Sequence, residues 1–149
     1  MKETTLAYLA GLIDGEGCIV IVAVKHPNDR IEYKARILVV NTDRKMIEWC
    51  VENFKGFLHQ RRFRQANWKD CFSWHRGIAK KDEEWLRSLL PYMITKKERV
   101  QLLIDFLQTV SEKRTKRNLP KEINVERKRI KERITELNDS WRSSGSDND

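Results

Sequence analysis

Apolar residues recur along this chain at two periods, and the switches between them divide it into elements. In residues 4–14, Leu6, Leu9, Leu12 and Ile13 stand three and four apart, the spacing that lines one face of a helix, and Thr4 or Thr5 is available as a cap. CIVIVAVK (18–25) is rich in β-branched residues, HPND (26–29) has turn chemistry, and IEYKARILVV (31–40) alternates polar and apolar residues, which predicts a hairpin. NTDRKMIEWCVENF (41–54) opens on capping residues and sets Met46, Ile47, Cys50, Val51 and Phe54 on a helical stripe. After Gly56 a second strand pair is predicted, FLHQRRFR (57–64) and CFSWHRG (71–77), joined by the turn-prone QANWKD. KKDEEWLRSLL (80–90) and TKKERVQLLIDFLQTV (95–110) read as two helices interrupted at Pro91.

The predicted class is α+β: an αββαββα core with one four-stranded antiparallel sheet, helices on one of its faces, and C-terminal helices in addition. From Pro120, a good first helical residue, Ile123, Ile130, Ile134 and Leu137 recur at helical spacing among mixed charges, as in a partly exposed helix docked on a body. The expected division is a core over 1–117, a helical extension over 118–142 and a disordered tail over 143–149, SSGSDND at its end.

Charge narrows the partners. The chain carries +8 overall, but residues 55–117 hold 16 Lys and Arg against 7 Asp and Glu, while the segments on either side are close to neutral. A polyanion fits that field, and nucleic acid fits better than a membrane because neither a lipidation signal nor a basic amphipathic anchor accompanies it. Cys18, Cys50 and Cys71 lie far apart with no metal-ligand pairing, the usage of reduced thiols in an intracellular compartment. The start of the chain lacks the form of a secretory leader, so a non-secreted protein is expected.

The stretch YLAGLIDGEGCI (8–19) breaks the helical pattern with glycines, each costing roughly 1 kcal/mol relative to alanine in a helix interior. Ala7, Gly11 and Gly15 would form a stripe without bulk, open to close approach by another helix, and with one copy per chain that helix belongs to a second subunit. A two-fold interface involving Ala7, Ala10, Gly11 and Asp14 is therefore expected. At its end Asp14 and Glu16 would converge with their counterparts, and such like charges need protons or an oxygen-loving cation such as Mg²⁺ between them. Asp14 is equally explained as a residue that caps its helix end.

LAGLIDGEG (9–17) resembles the signature of the LAGLIDADG homing endonucleases, matching seven of nine letters, with Gly15 for alanine and Glu16 for aspartate. The order of elements over roughly residues 4–110 is similar as well. The resemblance implies a homodimer, since single-motif members pair whereas double-motif members are pseudo-symmetric monomers. It implies site-specific cleavage of both strands of a long, nearly palindromic duplex by metal-dependent phosphodiester hydrolysis. Glu16 matches the metal-binding acid and the Gly15 carbonyl a backbone ligand, for Mg²⁺ or for Mn²⁺ or Ca²⁺ at the same place. Lys96 matches the basic residue that orders water near the scissile phosphate, with Lys97 as neighbouring alternative. Asn41 and Asp43 match a further water-ordering place only loosely and are explained as well by helix capping.

The resemblance also makes the sheet a saddle-shaped reading surface. Lys34 and Arg36 share a parity with Glu32 and are expected to face DNA, with Ile31, Tyr33, Ala35 and Ile37 turned to the helices. Arg61, Arg62 and Arg64 fall on both parities and divide between bases and phosphates. Ser73 and His75 are expected outward, Phe72 and Trp74 inward. CIVIVAVK offers almost no polar readers, contrary to expectation for such a surface. The alternative function is an RNA maturase or a DNA-binding regulator on the same scaffold, without cleavage.

Overall fold

The protein is described by a computed structural model covering residues 1–65, 67–110 and 119–143, with side chains beyond Ser140 left aside. Helix α1 (Glu3–Glu16) leads into β1 (Gly17–Lys25) and β2 (Ile31–Asn41), then α2 (Arg44–Phe54), β3 (Phe57–Arg61) and β4 (Cys71–Ile78). Helices α3 (Glu83–Leu89), α4 (Lys97–Gln108) and α5 (Lys121–Ser143) follow. The four strands form one antiparallel sheet in the order β1-β2-β4-β3.

Period two decides what the sheet buries. Ile19 and Ile21 of β1, Ala35, Ile37 and Val39 of β2, and Trp74 of β4 point to the same side, where Leu9 and Ile13 of α1 and Ile47 and Cys50 of α2 cover them, and Leu103 and Leu107 of α4 belong to the same core. Each large aliphatic side chain so buried contributes roughly 1.5–3 kcal/mol. On the other side Lys34, Arg36, Val40, Phe57 and His59 are exposed. Ile31 departs from its predicted inward place: it pairs with Lys25 at the outer end of the hairpin and stays 44% exposed.

Other boundaries differ from the sequence prediction for local reasons. Helix α1 starts after Lys2 without a side-chain cap, so neither Thr4 nor Thr5 serves as one. Strand β3 stops at Arg61, opposite Cys71, and beyond it the rings of Phe63 and Trp68 meet at a tilt, 5.1 Å apart, in the hairpin loop. Arg62 and Arg64 thus lie in the hairpin loop rather than on a strand. Pro91 falls inside a 3₁₀ turn, Leu90–Tyr92, which bends the chain between α3 and α4. A second turn, Lys80–Asp82, precedes α3, and Asp82, nearly buried, accepts from the Ala79 N–H and from Arg76.

Helix α5 belongs to the same core, with Ile130 and Ile134 buried. Arg127 ties it to the end of α4 by donating to the hydroxyl and carbonyl of Thr109. Its Asn138 donates at 2.8 Å to the Ile19 carbonyl on the outer edge of β1, supplying a partner that no neighbouring strand provides. The basic run 111–117 and the tail after Ser143 lie outside the described residues. No described cysteine is in a disulfide, and among the described residues no helix is long and apolar enough to cross a membrane.

Candidate active site and nucleic-acid interface

The C-terminal end of α1 is where the chemistry gathers. A helix ends with carbonyls that have no helical partner and with the negative pole of its dipole. Here Lys96, the residue before α4, donates its ammonium to the carbonyls of Ile13 at 2.9 Å and Asp14 at 2.7 Å. The Asp14 carboxylate runs the other way and accepts the backbone N–H groups of Ile94 at 2.7 Å and Lys96 at 2.9 Å. The last turn of α1 and the loop before α4 are thereby locked to each other. Partial burial raises the Asp14 carboxyl, but the Ile94 and Lys96 N–H groups outweigh it and hold its pKa below the ordinary value. Burial, with Arg99 nearby, lowers that of Lys96.

These groups line one cleft together with Gly15, Glu16, Cys18, Arg99, Asn138 and Asp139. Glu16, the last residue of α1, is exposed in it. Gly17 follows because only glycine fits: a Cβ there would lie 2.6 Å from the Ile13 backbone. Gly15 and Glu16 thus offer a carbonyl and a carboxylate, hard oxygen donors of the kind Mg²⁺ or Ca²⁺ takes. The Asp14 oxygens are engaged by the loop, and no group of three His, Cys, Asp or Glu that could hold an ion occurs among the described residues. Gly15 and Glu16 therefore supply two of the several oxygen donors that a divalent cation takes.

The stripe on α1 is bare. Ala7, Gly11 and Gly15 are exposed, and a Cβ added at Gly11 or Gly15 would meet nothing within 4 Å, so no contact inside the protomer requires glycine there. Of the other residues expected at a two-fold interface, Ala10 is fully buried in the core with Leu6 and Ile13 and so is not available on the surface, and the Asp14 carboxylate is engaged by the loop before α4.

Residues directly opposite each other in an antiparallel pair share a face, which assigns the open side of the sheet. Lys34 stands opposite Val22, Arg36 opposite Val20 and Gly77, and Leu38 opposite Cys18 and His75. His59 stands opposite Ser73, and Arg61 opposite Cys71. Lys34, Arg36, Arg61, Ser73 and His75 are thus brought to one surface, with Arg62 and Arg64 beside it in the loop. Ser73 and His75 share a hydrogen bond of 2.8 Å, and the His59 and His75 rings meet edge to face at 4.5 Å. Burial first, then the His59 and Arg36 charges, lowers the His75 pKa, which favours the neutral ring.

Asn41 and Asp43 cap α2, Asn41 accepting from the Asp43 N–H and Asp43 from the Lys45 N–H. Sequence reasoning overlooks Arg99, which donates to the Asn138 side chain and the Leu137 carbonyl and so fastens α5 to the cleft. Its place three residues after Lys96, on the same side of α4, is the signal that could have found it.

By sequence the chain matches no family model and no curated protein. By structure it is similar to the homing endonuclease I-CvuI bound to the I-CreI target, with 15% identity over 91% of this chain and 82% of that one and a TM-score of 0.71. The homing endonuclease I-TnaI superposes over 94% of this chain and 97% of its own, at 14% identity and a TM-score of 0.62. The meganuclease I-SmaMI, bound to uncleaveable DNA, matches 85% of this chain at 15% identity and a TM-score of 0.65, but over only 43% of its own length. The chain has the fold of the LAGLIDADG homing endonucleases.

Proposed function

We propose that the protein is a homodimeric, divalent-metal-dependent, site-specific DNA endonuclease that cuts both strands of a long, nearly palindromic duplex. One observation carries this reading: Glu16 is presented at the end of a bare small-residue stripe, in one cleft with Lys96 and Arg99. A half-site for a cation at the end of a surface fit for close helix pairing becomes a whole site in a two-fold dimer. The match to I-SmaMI over less than half of that chain supports it, because the longer chain has room for two such folds.

Glu16 and the Gly15 carbonyl of each protomer would hold the ions. Mg²⁺, or Mn²⁺ or Ca²⁺ in its place, would supply Lewis-acid chemistry there, lowering the pKa of a water and offsetting charge on the leaving oxygen. Lys96 has three donors, two of them engaged by α1, and the third steadies charge at the phosphate. Asp14 keeps Lys96 in place by binding its backbone. The open sheet face carries the duplex.

The structural use of Lys96 as a helix cap also suits a non-cleaving binder, the maturase or regulator reading, so cleavage is the deciding measurement. Duplexes enriched by binding from a randomised pool are incubated with Mg²⁺ and the wild-type or Glu16→Gln protein. Double-strand cuts by the wild type, lost in the variant with binding retained, are expected. Intact DNA with the wild type would favour the binder, and equal cutting by both would remove Glu16 from the site.

A further inference from the structure

Strand β1 is the part of the open face that a reading surface of polar side chains leaves unexplained. Its register places Val20, Val22 and Val24 on that face, with Ile19 and Ile21 turned into the core. The three valines are half-buried, Val20 and Val22 along a cleft between β1 and α5. Charges of both signs flank them: Arg36 stands directly opposite Val20, Lys34 opposite Val22 and Glu32 opposite Val24, with the Glu32 carboxylate 3.7 Å from the Lys34 ammonium, while Lys131 and Asp139 of α5 line the cleft along the outer side of the strand.

We infer that this stripe reads thymine, its valines packing on the C5-methyl groups exposed in the major groove. The inference rests on the nuclease reading and adds the bases preferred by one strand. The thymine methyl is the one apolar feature among the base edges of that groove, and a two-stranded β ribbon fits the groove's width. Same-face residues on a strand lie about 6.8 Å apart, which is about two base-pair steps. The valines therefore meet every second step, while Arg36 and Lys34 reach guanine acceptors or phosphates alongside. A protein partner covering the valines would desolvate those same cations, whereas a duplex supplies acceptors for them.

The test uses the full chain in metal-free buffer, with duplexes selected by binding from a randomised pool and then remade with deoxyuridine for thymidine at one position at a time. Uracil pairs as thymine does and lacks only the methyl. Thymine enriched about every second step in both half-sites is expected, with binding about threefold to fivefold weaker per symmetric methyl removed, the scale of one buried methyl group. Val22→Ser, checked for folding by circular dichroism, should lose the uracil penalty at one symmetric pair of positions and keep it elsewhere. Enriched duplexes that bind equally well with uracil throughout would overturn the thymine assignment and leave the nuclease reading intact. A pool that yields no enriched duplex would overturn that reading, and this inference with it.

Discussion

Asp14 and Lys96 illustrate what a residue's letter conveys and what it conceals. The two are 82 positions apart, yet the carboxylate binds the lysine's backbone and the lysine's ammonium binds the aspartate's carbonyl. The bland account of Asp14, a residue capping its own helix end, is not what the structure shows: its carboxylate binds the loop before α4 and Lys96 caps the helix instead, and these partners are not legible because no local pattern encodes a contact across the fold. Asp14→Asn keeps one acceptor and sets an amide donor against the other N–H, so a stability loss of about 1–2 kcal/mol at neutral pH is expected. The pH dependence fixes the cause. With the folded pKa below the unfolded one, the carboxylate's contribution is complete above the unfolded pKa and disappears as pH falls through the lowered folded value. Urea titrations of wild type and variant should therefore differ near pH 7 and converge in strong acid; a constant difference would assign the cost to packing. Lys96→Met should lose about 1 kcal/mol through the uncapped end of α1, and under the proposed function should also slow cleavage while leaving DNA binding in place. Stability loss with cleavage unchanged would confine Lys96 to the cap.

Elements are more legible than contacts because periodicity is local and burial follows it. The β-branched run and the alternation that follows it predict β1 and β2, and Ile19, Ile21, Ala35 and Ile37 are buried as a strand period requires. Strand β3 is predicted too long since RFR (62–64) continues an acceptable strand composition, and the Phe63–Trp68 contact in the loop is a pairing that composition does not reveal. Helix α1 gives the sharpest test at this scale. Gly11 faces open space, so Gly11→Ala should stabilise the protomer by up to about 1 kcal/mol through helix propensity alone. Under the dimer reading Gly11→Leu should hold the helices apart, giving folded monomers that no longer cut both strands. Sedimentation of that variant as an unchanged dimer would eliminate the stripe as the interface. Gly17→Ala should behave in the opposite way and cost stability in the protomer itself, since its Cβ would collide with the Ile13 backbone.

For the whole molecule, fold and charge act together: the helices fill one face of the sheet, and the open face and its hairpin loop carry Lys34, Arg36, Arg61, Arg62 and Arg64. The basic middle of the chain points to a polyanion by composition, but net charge alone does not separate arginines that meet phosphates from those that meet bases. Under the proposed function, position in the fold does. Arg61 is the last residue of β3, on the open face opposite Cys71 and with its guanidinium 5.1 Å from the Phe63 ring centre, whereas Arg62 lies beyond the ladder in the loop. Affinity for a duplex should fall with salt at a log-log slope of about −0.9 per phosphate neutralised. A homodimer doubles every substitution, so Arg62→Ala should make the slope shallower by about 1.8 and weaken all sequences alike. Arg61→Ala should instead relax preference at one symmetric pair of positions with little change in slope. Binding isotherms over a range of salt, on a selected duplex and on a scrambled one, separate the two outcomes. A slope change of about 0.9 for Arg62→Ala would mean that only one protomer meets the backbone, against the dimer, and a flat salt response in the wild type would remove nucleic acid as the partner of this face.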